Sequence, residues 1–279
     1  MKIIFTTILL FTVNVGSFAV TELSNASTNY IDKTYLEAVK LFEQQKYEDS
    51  LNKIRHVIKS SMHSYKLRYL AAHNHWRQKH HKVAAQHFLI GIAQKPQNYH
   101  GYIDLSLMYL DQYNYTAARN ILNKCERILN NAKKHVPAKL YNIQARINLR
   151  WENPQGALQK SQQAKAAFQK KNTGIKDQLE SLILEGRAYL SLNKFSKAEF
   201  ALSWGLSLHK DNATVLNLLG YTFEQWAASL KKKNPKKSIR KRSKAIAYYK
   251  KALITKELTS TFFTLIQRNL KRIETTTNP

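Results

Sequence analysis

The sequence predicts an all-α chain built from one repeated unit, and three observations carry that expectation. Five prolines and eight glycines in 279 residues leave few sites for tight turns, while Lys, Leu, Ala, Gln and Asn abound, a balance that favours helices over many short strands. Residues 31–64, 65–98 and 99–132 align without a gap at a period of 34. Within that period small residues return in three columns, with large apolar or aromatic ones between them. A hydrophobic fraction of 43% is enough to bury a core.

The chain opens with MKIIFTTILLFTVNVGSFA, in which a single Lys2 precedes an apolar stretch from Ile3 to about Val15 and small residues stand at Ser17 and Ala19. This pattern predicts a secretory leader over 1–19, cut after Ala19, with an apolar stretch too short to span a bilayer; an uncleaved anchor is the alternative. A flexible segment is expected over 20–30, and the mature protein is expected to be soluble and periplasmic or secreted. Cys125 is the lone cysteine, so no internal disulfide is available even in an oxidising compartment, and stability rests on packing.

The first repeat carries Ala38, Leu41, Tyr47, Ser50, Ile54 and Val57 in its columns. The second carries Ala72, His75, His81, Ala84, Phe88, Gly91 and Pro96, and the third Ser106, Tyr109, Tyr115, Ala118, Leu122 and Cys125. After five extra residues the pattern resumes at 138–171 with Tyr141, Ala145, Ala157 and Ala164, although Gln144, Asn148 and Ser161 stand where large apolar residues are usual. It returns at 179–212 with Leu182, Gly186, Tyr189, Phe195, Ala198, Leu202 and Gly205. A sixth unit, 213–258, has Leu216, Leu219, Gly220 and Phe223, and then Ala245, Tyr249 and Ala252 thirteen residues later than the period requires. Small columns have a physical reason: helices approach to about 8–10 Å only where side chains leave room.

This pattern resembles the tetratricopeptide repeat, a helix-turn-helix unit of 34 residues. The resemblance covers about residues 31–272 and implies a right-handed α-solenoid of about six repeats. A closing segment over 259–272, with Phe263, Ile266 and Leu270 at large apolar columns and Gln267 at a small one, matches the capping helix that a solenoid needs at its end, followed by a tail over 273–279. The resemblance further implies a concave groove lined by the first helix of each unit. In register, that groove receives Tyr69, His73, Trp76 and Arg77 from the second repeat, Lys139, Asn142, Arg146 and Arg150 from the fourth, Arg187 from the fifth, and Asn217 and Tyr221 from the sixth. Such a lining is basic with aromatic rungs and suits an acidic peptide or a terminal carboxylate; solvated helix faces are the plainer alternative. The chaperone-type carboxylate clamp of this family is not matched, because Asp104, Leu184, Thr214 and Leu218 occupy columns where it needs polar or basic groups.

A formal charge of +27, from 45 Lys and Arg against 18 Asp and Glu, attracts anionic partners. It is densest in KKKNPKKSIRKRSK, residues 231–244, where Lys231, Lys232, Lys233, Lys236, Lys237, Arg240, Lys241, Arg242 and Lys244 share fourteen positions with no acid. In register this is an insertion between the two helices of the sixth repeat, expected to project and to be removable without dismantling the core. A nuclear address conflicts with the leader. Nucleic acid is disfavoured because only Tyr248 and Tyr249 lie close by to stack on bases. An anionic envelope polymer or lipid surface and a merely solvated loop both remain open.

His73, His75, His80, His81 and His87 fall within fifteen residues, yet no His-Glu-x-x-His spacing accompanies them, and no metal or other cofactor is expected. Phosphate-cradling glycine motifs are missing, acids are sparse, and Cys125 stands in a small packing column. A non-enzymatic exported scaffold is therefore expected, binding an acidic protein or peptide partner through the groove and acting in envelope assembly. The alternative is an anionic polymer or lipid-surface binding protein acting through 231–244.

Overall fold

A computed structural model describes residues 30–60, 65–170, 174–255 and 258–275. The expected leader, its cleavage point, the segment up to 29 and the last four residues lie outside the described residues. Among those described, all regular structure is helical, in thirteen helices: α1 Tyr30–Glu43, α2 Tyr47–Ser60, α3 Tyr65–Arg77, α4 His81–Gln94, α5 Tyr99–Asp111, α6 Tyr115–Asn131, α7 Ala138–Arg150, α8 Pro154–Lys170, α9 Ile175–Ser191, α10 Phe195–Leu208, α11 Ala213–Leu230, α12 Pro235–Leu253 and α13 Ser260–Thr275. Each odd-numbered helix from α1 to α11 packs against the even-numbered one that follows, and each pair leans on the next. None of these helices is long and apolar enough to cross a membrane.

The turns inside the repeats are built without glycine. Counted from the repeat starts, α1, α3, α5, α7 and α9 all end at the thirteenth residue, at Glu43, Arg77, Asp111, Arg150 and Ser191. Two residues on, Gln45, Lys79, Tyr113, Glu152 and Asn193 take left-handed backbone, with φ between 54° and 65°. The next amide then donates five residues back, as in His80 N to His75 O at 2.8 Å and Asn114 N to Tyr109 O at 2.8 Å. This six-to-one bond satisfies carbonyls that a helix end leaves open. Side-chain caps start several helices: Asn98, Asn114, Asn212 and Asn234 each accept an amide of the first turn.

Small columns mark the closest helix contacts. Ala38, Ser50, Ala72, Ala84, Ser106, Ala118, Ala145, Ala157, Ala164, Ala198, Ala245 and Ala252 are all fully buried. Around them the apolar core runs as a chain of clusters, from α1–α3 through α3–α7 to α11–α13, each shared by neighbouring repeats. That is the quasi-one-dimensional packing of a solenoid, in which a repeat touches only its neighbours. Tyr69 shows how tight the fit is. Its ring packs edge-on against Tyr65, at 5.6 Å between centroids, and a Cβ on either Gly91 of α4 or Gly101 of α5 would collide with it. The two glycines make room for one buried phenol that joins three helices.

Candidate functional site

The first-helix residues singled out from the sequence do not form one open lining. Tyr69 is a core residue, and His73, Trp76, Asn142 and Asn217 are also buried. Each of those four is joined to the next first helix. His73 Nε2 lies 3.1 Å from Asp104 Oδ2 on α5, and Trp76 Nε1 donates to Asp111 at 3.1 Å. Asn142 Nδ2 donates to the Asp177 carbonyl at 3.0 Å and accepts from Ser181 Oγ at 2.8 Å. Asn217 accepts from Asn269 of α13 at 3.3 Å. Arg146 likewise pairs with Glu180 of α9. These side chains hold successive repeats together, because a helix one repeat onward stands within hydrogen-bonding distance of each.

The same contacts add acids to a lining expected to be basic with aromatic rungs. Asp104, Asp111, Asp177, Glu180 and Glu224 alternate with the cations, and Glu224 binds Arg272 through two hydrogen bonds, at 2.9 and 2.8 Å. Burial raises the carboxyl pKa of both Asp111 and Asp177. Lys139 is half-buried near Asp177, while Arg77 is exposed. Exposed Arg150 turns back toward the preceding repeat, over the Tyr115 ring at 5.6 Å. Half-buried Tyr221 has its phenol pKa raised by burial and then by Glu224.

Arg187 differs from all of these. It is half-buried on α9, its guanidinium pKa is lowered first by burial and then by the neighbouring Arg146, and no hydrogen bond or ion pair engages it among the described residues. A cation in that position lacks the counter-ion that its desolvation calls for.

The basic stretch is no free-standing loop. Counted from 213, α11 runs to the eighteenth residue, and residues 235–244 form the first half of α12; only Lys231, Lys232, Lys233 and Asn234 lie between the two helices. Three of the nine cations are built into the fold. Lys241 lies over the rings of Trp226, at 3.2 Å to the centroid, and Phe223, at 5.0 Å, and 3.8 Å from Glu199. Lys244 also sits over Phe223, and Arg242 donates to the Ile273 carbonyl of α13. Removal of 231–244 would strip those contacts, so the expectation of a detachable appendage is corrected. Lys231, Lys232, Lys233, Lys236, Lys237 and Arg240 are exposed.

No family model matches the chain, and no curated protein matches it. Solved structures do. A chain of the APC/C hetero-tetramer Cut9–Hcn1 superposes with a TM-score of 0.63 at 16% identity, over 86% of this chain and 42% of that one. PilW, a widely conserved type IV pilus biogenesis factor, gives 0.63 at 12% identity over 85% and 99%. YrrB, a TPR protein with an unusual peptide-binding site, gives 0.53 at 15% identity over 74% and 98%. The fold is a tetratricopeptide-repeat solenoid. At these identities the likeness concerns the fold alone.

In the tetratricopeptide register, the polar residues that make the fourth repeat look irregular form a network. Gln144 donates to Asn123 at 3.0 Å and to Glu126 at 2.8 Å, Lys160 reaches Glu126 at 3.0 Å, and Asn148 donates to the Gln144 carbonyl at 3.0 Å. Sequence reasoning registered Gln144 and Asn148 only as departures; the signal it lacked was Glu126, the single acid of α6, standing one repeat earlier. The histidines divide. His73 faces Asp104, whereas His75, His80 and His87 line a cavity of about 200 Å³ with Glu48 and Arg55. Burial holds the His87 imidazole at about pKa 4, and no three His, Cys, Asp or Glu side chains among the described residues are grouped to hold a metal ion. Burial also pushes the Cys125 thiol up to about 12, which keeps it protonated and unreactive.

Proposed function

We propose that this solenoid is a non-catalytic adaptor that binds an extended acidic segment of another protein along its first helices, with Arg187 as the anchor for a carboxylate. One observation carries the reading: Arg187 is a desolvated cation without a counter-ion, beside a second guanidinium, Arg146, that already holds Glu180. An incoming carboxylate would supply the missing partner through charge-assisted hydrogen bonds. Lys139 of α7 and Tyr221 of α11, on the first helices of the preceding and following repeats, would extend the contact. Two names among the similar structures agree with it in kind, the peptide-binding site of YrrB and the pilus biogenesis role of PilW. Together with the leader expected over 1–19, the pilus biogenesis role of PilW is the support for placing this protein in envelope assembly outside the cytoplasm.

A pool of fluorescent extended peptides rich in Asp and Glu, set against the matching Asn and Gln pool, tests the site. Arg187→Gln is expected to weaken binding of the acidic pool about 30-fold, and Arg187→Lys to weaken it less. Since the substitution removes an unpaired half-buried charge, the free protein should melt roughly 1–3 °C higher. Equal binding by wild type and Arg187→Gln would remove Arg187 from the site. A lower melting temperature would make it a structural residue instead. The compartment is read separately, by N-terminal sequencing of the native protein for a start at Val20.

A further inference from the structure

We infer that the α11–α12 hairpin is a docking finger for an anionic lipid bilayer, in which Ile239 enters the acyl boundary while the cations around it meet headgroup phosphates. The inference is independent of Arg187 and of the groove. Five turns end their first helices at the same repeat position, and α11 continues five residues past it, which extends the hairpin about 7 Å beyond the edge that those turns form. A flat surface approaching that edge meets the hairpin first.

Bracing comes next. Ser238 Oγ donates to the Ala227 carbonyl at 2.7 Å across the hairpin, and Asn234 caps α12 by accepting from Lys237 N at 3.0 Å. Lys241 and Arg242 tie the base to Trp226 and to α13. A tip held in this way loses little conformational freedom on docking.

The outward chemistry is of one kind. No acid occurs between Gln225 and Lys256. Lys236, Ile239, Arg240 and Ser243 recur at three- and four-residue spacing, share one face of α12 and are all exposed, Ile239 at 64%. A β-branched apolar side chain exposed between Lys236 and Arg240 is poorly placed in water. It matches an anionic interface, which takes an apolar group at the acyl boundary and cations at the headgroups. A single-stranded nucleic acid would need bases stacked on aromatic rings. Tyr248 is already stacked on Phe223 at 5.5 Å and Tyr249 is fully buried, so neither is available. An anionic polymer would engage the cations and leave Ile239 unused.

Full-length protein is sedimented with phosphatidylcholine vesicles and with vesicles carrying roughly one third phosphatidylglycerol. The apolar stretch Ile3–Val15 would attach to both alike, so the signal is the excess bound to the anionic vesicles. That excess should fall with added salt, as exposed charges are screened. It should be about tenfold weaker in Ile239→Ser, whose melting temperature and heparin retention stay at wild-type values. It should vanish when Lys232, Lys236 and Arg240 are all replaced by Gln. No excess on anionic vesicles at low salt would overturn the inference. So would an excess indifferent to Ile239→Ser, or tight binding of single-stranded DNA in place of vesicles.

Discussion

The ammonium of Lys241 lies 3.2 Å from the centre of the Trp226 ring, with Trp226 itself stacked between Phe223 and Phe195 at 6.2 and 6.3 Å. This cation belongs to the packing of the last repeat, although in the sequence it is indistinguishable from its neighbours. Burial lowers the Lys241 pKa, which Glu199 partly opposes. Lys241→Ala is expected to lower stability by about 1–2 kcal/mol through lost ring contact and stem packing, read from the urea midpoint. The exposed Lys232→Ala is expected to change it by less than about 0.5 kcal/mol. Equal effects from the two would place Lys241 in solvent.

Ala84 and Ala198 stand at the same column of the second and fifth repeats, and both are fully buried. Enlarging either to Leu forces the paired helices apart or drives side chains off their rotamers, at roughly 1–3 kcal/mol each. The sites lie in separate repeats, so the losses should add in the double variant. Thermal melts of the three variants check both statements.

Tyr113 holds φ at 58° with its side chain 74% exposed, a backbone region that costs a bulky residue but not glycine. Tyr113→Gly removes no buried contact and relieves that strain, while it adds freedom to the unfolded chain. A net gain of roughly 0.5–1 kcal/mol is expected. Glycine at an exposed position inside a helix would instead destabilise, so a melt of Tyr113→Gly beside a helix-interior control such as Lys124→Gly reports on the turn itself.

His87 titrates in an unfavourable setting, with burial first and then His75 and Arg68 opposing its charge and holding its pKa at about 4. Unfolded, it titrates near about 6.5. Between those values the unfolded chain binds a proton that the native protein does not, so stability falls as pH drops from about 6.5 and levels off below about 4. His75, lowered by burial and by His80, acts in the same direction, and Glu48 on the cavity wall opposes it. His87→Gln should lose less stability than wild type between pH 7.5 and pH 5, in urea titrations at each pH. Identical losses would refute the assignment.

Much of the architecture was legible in the residues themselves. Alanines and glycines at 34-residue spacing gave the helix pairing, and the thirteen-residue delay before Ala245 announced something longer in the sixth repeat. The candidate site was far less legible. Register assigned His73, Trp76, Asn142, Arg146 and Arg187 to similar faces, yet the first four have partners on the following first helix and Arg187 has none. The missing information is the identity and distance of groups 31 to 39 residues downstream, which a one-repeat periodicity cannot rank.

The basic stretch shows the same division. From sequence alone come its composition, its place in the sixth repeat and the small columns that flank it, because each is a property of order along the chain and of room between helices. Only the tertiary structure decides that α11 and α12 lengthen to absorb it, that Lys241 and Arg242 turn inward, that exposed Lys244 reaches over the Phe223 ring, and that Ile239 turns out beside the other cations. A charge is consumed or left free by what stands across from it in space, and Trp226, Phe223 and the Ile273 carbonyl reach those cations only when the last repeats close on one another.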